Sequence, residues 1–222
     1  MQQIPIWYLD SMQHEGNFIT NKALELKVDS VGRLKRFSGE TVVFLLPDYL
    51  KDALEKIQRE LFAVAGEMLS CNALSKGSLH MTLHDLWNES DAGKHSFPPY
   101  THDDICKVIE GIRRDYPQKI MMRAIAAMNM VNSSVVMGLL PATDADAWAL
   151  ADMYGRLDAL YPLNYGLTPH ITLSYYKPGE YSEEVWRGLQ RVFTMKGWSF
   201  PLYTKDLVFQ RFSDMESYET IY

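Results

Sequence analysis

The sequence is poor in cysteine, in positive charge and in long apolar runs. Its two cysteines, Cys71 and Cys106, form no Cys-X-X-Cys pair, so we expect reduced, buried thiols and no disulfide framework or thiolate zinc site. The 22 basic and 28 acidic side chains give a formal net charge of −6, whereas proteins that bind long nucleic acid non-specifically normally carry a basic surface. No apolar run approaches the ~20 residues of a membrane span, and residues 1–10 lack a signal-peptide pattern. We therefore expect a cytoplasmic protein with no membrane or long-duplex partner.

The sequence contains the pattern His-X-Thr-Leu twice. The first copy runs from His80 to Leu83 and the second from His170 to Leu173, in a chain with only six histidines. Each copy presents a titratable imidazole two residues from a hydroxyl. The repeat suggests a two-fold site with one acid, one base and paired hydroxyls for an anion, which suits cleavage of a phosphate ester.

The hydrophobic pattern predicts an α+β chain in which each motif strand follows a long amphipathic helix. This order indicates a cryptic duplication and argues against a doubly wound parallel sheet, which would alternate strictly. We expect residues 1–40 to form an N-terminal extension packed on the domain, with a strand at 4–9, and 41–222 to form a single domain. The predicted strands are 41–46, 79–86, 119–130, 135–140, 168–176 and 202–212, and the predicted helices are 49–69, 102–114, 143–160 and one that follows residue 182.

Strand geometry predicts which motif side chains share a face. Residues at i, i+2 and i+4 of a strand point to the same side. His80, Thr82 and His84 should therefore point together, and so should the second histidine, its threonine and Ser174. The apolar residues between them should pack under a covering helix. If the two strands lie beside a pseudo-two-fold axis, both polar faces line one cleft.

Two imidazoles and two hydroxyls in one cleft suit a phosphodiester. Histidine titrates near 6.5, so one ring can be neutral and accept a proton while the other is charged and donates one to the leaving oxygen. Threonine hydroxyls can donate to the non-bridging oxygens, where transition-state charge is stabilised. Coupled rings titrate as a pair, so a bell-shaped pH profile is expected.

Two other interpretations compete with this one. A single histidine on a half-buried strand is usually structural, but the repeat in matched contexts argues against that interpretation. A metal site could use His80, His84 and Asp85, since the two histidines have the spacing of a helical zinc pair. On a strand, however, those rings would lie about 13 Å apart along the chain, so no metal or cofactor is expected. His14, His95 and His102 are expected to be solvated.

The chain resembles the 2H (two-histidine) phosphoesterase superfamily, which includes the LigT-like RNA ligase/cyclic phosphodiesterases. The resemblance lies in the two motifs and in the Thr168-Pro169 dipeptide before the second. It implies two pseudo-symmetric lobes of mostly antiparallel sheet, with outer helices and a central cleft. It assigns acid/base catalysis to His80 and His170 and phosphate contacts to Thr82 and Thr172.

The expected activity is metal-independent cleavage, or RNA 2′–5′ ligation, at a 2′,3′-cyclic phosphate, a 2′–5′ linkage or a small cyclic nucleotide. The substrate would be a small nucleotide or an RNA terminus, and the protein a monomer. Tyr176 could stack on a base, His84 could contact substrate and Arg211 could meet a phosphate. The alternatives are a non-catalytic nucleotide-binding module with the same cleft and a metal-dependent hydrolase.

Overall fold

The computed structural model describes residues 16–69, 72–91, 98–116, 118–192 and 197–222, without the side chains of residues 186, 190 and 192. The predicted strand at 4–9, His14, Cys71 and His95 lie outside the described residues. Cys106 is a free thiol and is half-buried, not fully buried as predicted. Within the described residues, no helix is long and apolar enough to cross a membrane.

In the described residues, eight antiparallel strands form one sheet and two short strands pair separately. The order across the large sheet is β10-β9-β2-β3-β6-β5-β4-β8, while β1 pairs with β7. The strands are β1 (Phe18–Ile19), β2 (Gly39–Leu45), β3 (His80–Asn88), β4 (Lys119–Met130), β5 (Ser134–Pro141), β6 (His170–Tyr175), β7 (Glu180–Tyr181), β8 (Ser199–Tyr203), β9 (Leu207–Phe212) and β10 (Tyr218–Thr220).

Four α-helices occur in the described residues: α1 (Asp48–Ala65), α2 (His102–Asp115), α3 (Asp144–Asp158) and α4 (Glu183–Val192). Thr101 caps α2 through a capping box, and Thr143 caps α3 by accepting from the Asp146 backbone. The apolar stripe of α1 is buried, as its helical spacing predicts. The helix ends at Ala65, four residues before the predicted end, because Gly66 follows and residues 66–68 form a turn.

The large sheet consists of two halves that meet at one residue pair. β10, β9, β2 and β3 form one half, and β6, β5, β4 and β8 form the other. The registered contact between β3 and β6 is Met81 opposite Ile171. Each half is a lobe, and each motif strand lies at the inner edge of its lobe. The α+β fold with two lobes and a central cleft is therefore confirmed.

The strand predicted at 202–212 is two strands. A 3-10 turn at Thr204–Asp206 separates β8 from β9. β8 pairs with β4 and β9 pairs with β2, so the two strands lie in different lobes. The turn explains the weak alternation of this segment, because side chains on either side of it belong to different halves of the sheet.

The segment before β2 packs against the lobe that contains β6, β5, β4 and β8. β1 pairs with β7, and the Asn21 amide donates to the Asn132 carbonyl at 3.0 Å. A 3-10 helix follows at Lys22–Leu26, with Leu24 and Val28 buried. Residues on this segment line one side of the cleft between the lobes.

Candidate active site

The first motif strand has a β-bulge at Leu83. Thr82 and His84 pair with consecutive residues of β2, which leaves Leu83 as an extra residue. An extra residue reverses the alternation of the side chains that follow it. His80 and Thr82 therefore face the cleft, but the next cleft residue is Asp85. His84 lies on the opposite, helix-covered face.

The second motif strand has the same bulge at the same motif position. Thr172 and Ser174 pair with consecutive residues of β5, so Leu173 is the extra residue. His170 and Thr172 face the cleft, Ser174 is fully buried on the helix-covered face, and Tyr175 returns to the cleft. The predicted grouping of His84 or Ser174 with its motif histidine is wrong, because the prediction assumed unbroken alternation.

Side chains from neighbouring elements satisfy carbonyls at both bulges. The buried Gln58 amide of α1 donates to the Leu173 carbonyl at 2.9 Å and to the Leu74 carbonyl at 3.1 Å. The Thr41 hydroxyl donates to the His84 carbonyl at 3.2 Å. A buried carbonyl without a donor would cost roughly 1–3 kcal/mol. These donors therefore stabilise the irregular backbone that sets the direction of the motif side chains.

β3 and β6 pair in the antiparallel direction, so the histidine of each motif lies opposite the threonine of the other. Pairing around the single registered contact puts His80 opposite Thr172 and Thr82 opposite His170. In a regular ladder such opposed residues are direct neighbours, and the two histidines are diagonal neighbours. Neither threonine hydroxyl has a hydrogen-bond partner among the described residues. Each imidazole is thus beside a hydroxyl of the other lobe that is free to bind a ligand.

The backbone orients both rings in the same way. The Nδ1 atom of His170 donates to the Thr168 carbonyl at 2.6 Å, because a carbonyl can only accept. The His80 ring makes the equivalent hydrogen bond to the backbone of Ser78, also two residues before it. A ring held through Nδ1–H has Nε2 available for proton transfer. The second ring therefore presents Nε2 to the cleft.

Burial governs the charge state of the two rings. Desolvation and the neighbouring His170 lower the pKa of His80 to about 4, although the Ser78 backbone and Asp85 partly oppose this shift. Desolvation also lowers the pKa of His170, while the Thr168 carbonyl and Asp85 oppose that effect. Both rings are neutral near pH 7 in the empty cleft, and a bound anion would favour protonation of either one.

The cleft has a volume of about 520 Å³, within the range of small-molecule sites. One wall is an aromatic and methionine cluster that includes Tyr175, Phe212, Met215 and Tyr218. The Tyr218 ring lies 4.8 Å from the His80 ring, edge to face. This wall offers flat apolar surface directly beside the first motif histidine.

His84 is a buried residue that lines the cleft away from its centre. Its side chain has no exposed surface, its ring centroid lies 4.8 Å from that of Tyr154, and its Nε2 is 3.4 Å from an Asp158 oxygen. The metal alternative required His80, His84 and Asp85 on one face, and the bulge separates His84 from the other two. The described residues include no group of three side chains suited to hold a metal ion.

Tyr176 and Arg211 lie away from the cleft. Tyr176 is fully buried, with its ring 5.2 Å from that of Phe18. Arg211 lies on the helix-covered face of β9, where it donates to Glu40 at 3.4 Å and lies 3.2 Å from His102. His102, predicted to be solvated, also lies 3.0 Å from Glu40. Tyr176 and Arg211 therefore do not line the cleft, whereas the predicted substrate contact of His84 stays a prediction.

The cleft residues that sequence reasoning missed are Lys27, Tyr175 and Tyr218, and Asp85 was considered only as a metal ligand. Asp85 and Tyr175 would have been found by placing a bulge at each motif leucine. The Asp85 carboxylate accepts from the Tyr165 hydroxyl at 2.7 Å. Lys27 lies in a segment with no periodic pattern, so no signal in the sequence assigned it to the cleft.

Several solved structures resemble the chain over most of its length. A conserved protein of unknown function from Agrobacterium tumefaciens has a TM-score of 0.59 at 16% identity, covering 91% of this chain and 98% of that one. The apo form of E. coli LigT has a TM-score of 0.55 at 14% identity, covering 85% and 96%. A Thermus thermophilus protein has a TM-score of 0.52 at 14% identity, covering 83% and 95%.

No protein-family model and no curated protein matches the chain. The likeness to solved structures therefore concerns the fold. The chain has the α+β fold of LigT, and the predicted resemblance to the LigT-like proteins is confirmed at this level.

Proposed function

We propose that this protein is a phosphoesterase that cleaves a 2′ or cyclic phosphodiester without a metal ion. The substrate would be a 2′,3′-cyclic phosphate, a 2′–5′ linkage or a small cyclic nucleotide, carried by a small nucleotide or an RNA terminus. The observation that supports this proposal is the crossed arrangement of the motifs, with each histidine opposite the threonine of the other lobe.

The proposed roles follow from the two ring environments. His80 acts as the base because its lowered pKa, about 4, keeps the ring neutral. For a cyclic phosphate, its nitrogen takes a proton from water while the water oxygen bonds to phosphorus. His170 acts as the acid, because repulsion between the two rings adds to burial in lowering the pKa of His80 but not that of His170. Its Nε2–H protonates the ribose oxygen as the bond from that oxygen to phosphorus breaks.

The threonines complete the phosphate site in this proposal. Their hydroxyls lie beside the rings and have no partner among the described residues. Thr82 and Thr172 would donate to the two non-bridging oxygens, whose negative charge grows in the transition state. The substrate anion also raises the pKa of both rings on binding, which supplies the protonated acid that the empty cleft lacks.

The aromatic wall supports a nucleotide as the substrate. Tyr218 lies against His80, and Tyr175 stands two positions beyond the bulge of the other motif strand. A base that stacks on an aromatic ring gains roughly 1–3 kcal/mol. Tyr175 or Tyr218 thus takes the stacking role first expected of Tyr176.

Turnover of a panel of nucleoside 2′,3′-cyclic phosphates, measured with excess chelator, tests this proposal. We expect a nucleoside monophosphate product at an undiminished rate. His80→Ala and His170→Ala should each lower kcat by about 10²-fold or more. Loss of activity on chelation would contradict the metal-free mechanism. Tight nucleotide binding with no product would instead indicate a non-catalytic binding module.

A further inference from the structure

We infer that Lys27 binds a second phosphate group of the substrate, so that the preferred substrate is a nucleotide that carries a 5′ phosphate as well as the phosphate that reacts. This inference rests on the proposed function and names its substrate class more closely. It assigns a specificity role to the segment before β2, which lies outside both motifs.

Two aromatic rings hold the Lys27 ammonium at the side of the cleft. Its Nζ lies 5.1 Å from the centroid of Phe37 and 5.9 Å from that of Tyr175. Both rings belong to the aromatic wall. Cation–π contacts of this kind orient an ammonium group but leave its three N–H donors available. Lys27 is thus fixed in position and still able to bind an anion.

Lys27 lacks a counter-ion within the described part of the chain. It forms no ion pair there, and Asp85 is the one carboxylate that opposes the lowering of its pKa by burial. A desolvated ammonium without a paired anion is unfavourable. The negative charge that compensates it is best supplied by the ligand of the cleft, because Lys27 is one of the residues that line it.

The position of Lys27 separates it from the reacting phosphate. Its ring partners Phe37 and Tyr175 lie outside both motifs, and Tyr175 follows the bulge on β6. We therefore place its ammonium at the end of the cleft, beside the 5′ substituent of a nucleotide whose reacting phosphate lies between the threonines. The effect of Lys27 on the pKa of His170, which it lowers, agrees with a charge nearby but not in contact.

A comparison of three substrates tests the inference. They are adenosine 2′,3′-cyclic phosphate with a free 5′ hydroxyl, the same compound with a 5′ phosphate, and a dinucleotide that ends in the cyclic phosphate. We expect kcat/KM to be about 10- to 100-fold higher for the second, by the strength of a hydrogen bond to a charged group. A similar gain for the dinucleotide would identify a bridging phosphate as a ligand too, and a gain confined to the second would identify a terminal phosphate.

Lys27→Met should reduce the preference for the 5′ phosphate to about one. Lys35→Met is the matched control, since Lys35 is exposed in the same segment and its ammonium donates to the Glu25 carbonyl. We expect that variant to keep the wild-type preference. A preference that survives in Lys27→Met, or a wild-type preference of one, would overturn the inference. Thermal unfolding should show that Lys27→Met is as stable as the wild type.

Calorimetric binding separates this inference from the proposed reaction. Adenosine 3′,5′-bisphosphate should bind the wild type about tenfold or more tightly than adenosine 3′-monophosphate, and Lys27→Met should bind both alike. This result would support the role of Lys27 even if no substrate were turned over, in which case the proposed function alone would fail. Equal binding of the two ligands by the wild type would reject the role of Lys27 whatever the turnover.

Discussion

β3 and β6 have the same motif, the same bulge and a backbone hydrogen bond to the motif histidine, but their sequences differ directly after the bulge. On the helix-covered face, β3 buries His84 and β6 buries Ser174. On the cleft face, β3 presents the Asp85 carboxylate and β6 presents the Tyr175 ring. The two strands therefore supply matched groups at the centre of the cleft and different groups at its ends.

Each motif strand therefore has two tasks: it places the proton-transferring groups, and it lines one end of the cleft. The repeated positions can build a nearly symmetric set of proton donors and acceptors. The positions after the bulge are free to differ, because the reversed alternation removes them from the centre of the site. The comparison can be tested by changing equivalent residues on the two strands and measuring whether kcat, KM and stability change by the same amount.

The largest effect is expected from the two histidines. His80→Asn and His170→Asn should each lower kcat by about 10²- to 10⁴-fold. The pH dependence of kcat/KM should then distinguish them, since it reports the free protein. Wild-type activity should rise with pH through the pKa of His80, about 4, and fall above the pKa of His170, which lies below 6.5.

His80→Asn should abolish the low-pH limb of that profile, and His170→Asn the high-pH limb. The kcat profile of the wild type should lie at higher pH than its kcat/KM profile, because the bound anion raises both pKa values. Exchanged limbs would show that the acid and base roles are reversed.

A smaller effect is expected from the hydroxyls. Thr82→Val and Thr172→Val preserve shape and should each lower kcat by about 10²-fold, the scale found for one lost donor to transition-state charge. Equal losses of kcat in the two variants would indicate that the two threonines have equivalent roles. Thr41→Val is the control: its hydroxyl serves the His84 carbonyl, so it should reduce stability by about 1 kcal/mol in chemical denaturation with kcat retained.

The smallest effect on activity is expected on the helix-covered face. His84→Ser copies the second strand onto the first and removes the ring that packs on Tyr154. It should lower the free energy of unfolding by about 1–3 kcal/mol, as for lost buried volume, and change kcat less than threefold. A tenfold change in KM at an unchanged free energy of unfolding would indicate that His84 contacts the substrate.

The centre of the cleft could be predicted because it depends on short-range rules. His80 and Thr82 precede the bulge, so simple alternation places them together, and the same holds for His170 and Thr172. The elements 119–130 and 134–141 were predicted within a residue because their hydrophobic pattern is long and their turn is polar.

The ends of the cleft could not be predicted because they depend on irregular backbone. One extra residue at Leu83 changes the faces of His84 and Asp85, and its supporting donor lies on β2. Gln58 was the corresponding clue for the second bulge, as a buried amide on the apolar stripe of α1. Lys27 reaches the cleft through tertiary packing, for which local periodicity has no signal.

The pairing of Met81 with Ile171 has a consequence for regiochemistry. A pseudo-two-fold axis through this pair exchanges the two histidines and the two threonines, so a phosphorus atom on the axis meets the same groups in either substrate orientation. Asp85, Tyr175 and Lys27 lie off the axis and break this equivalence. Under the proposed chemistry they select which ribose oxygen departs. The isomer of the product then depends on residues outside the pair of histidines as well as on the pair itself.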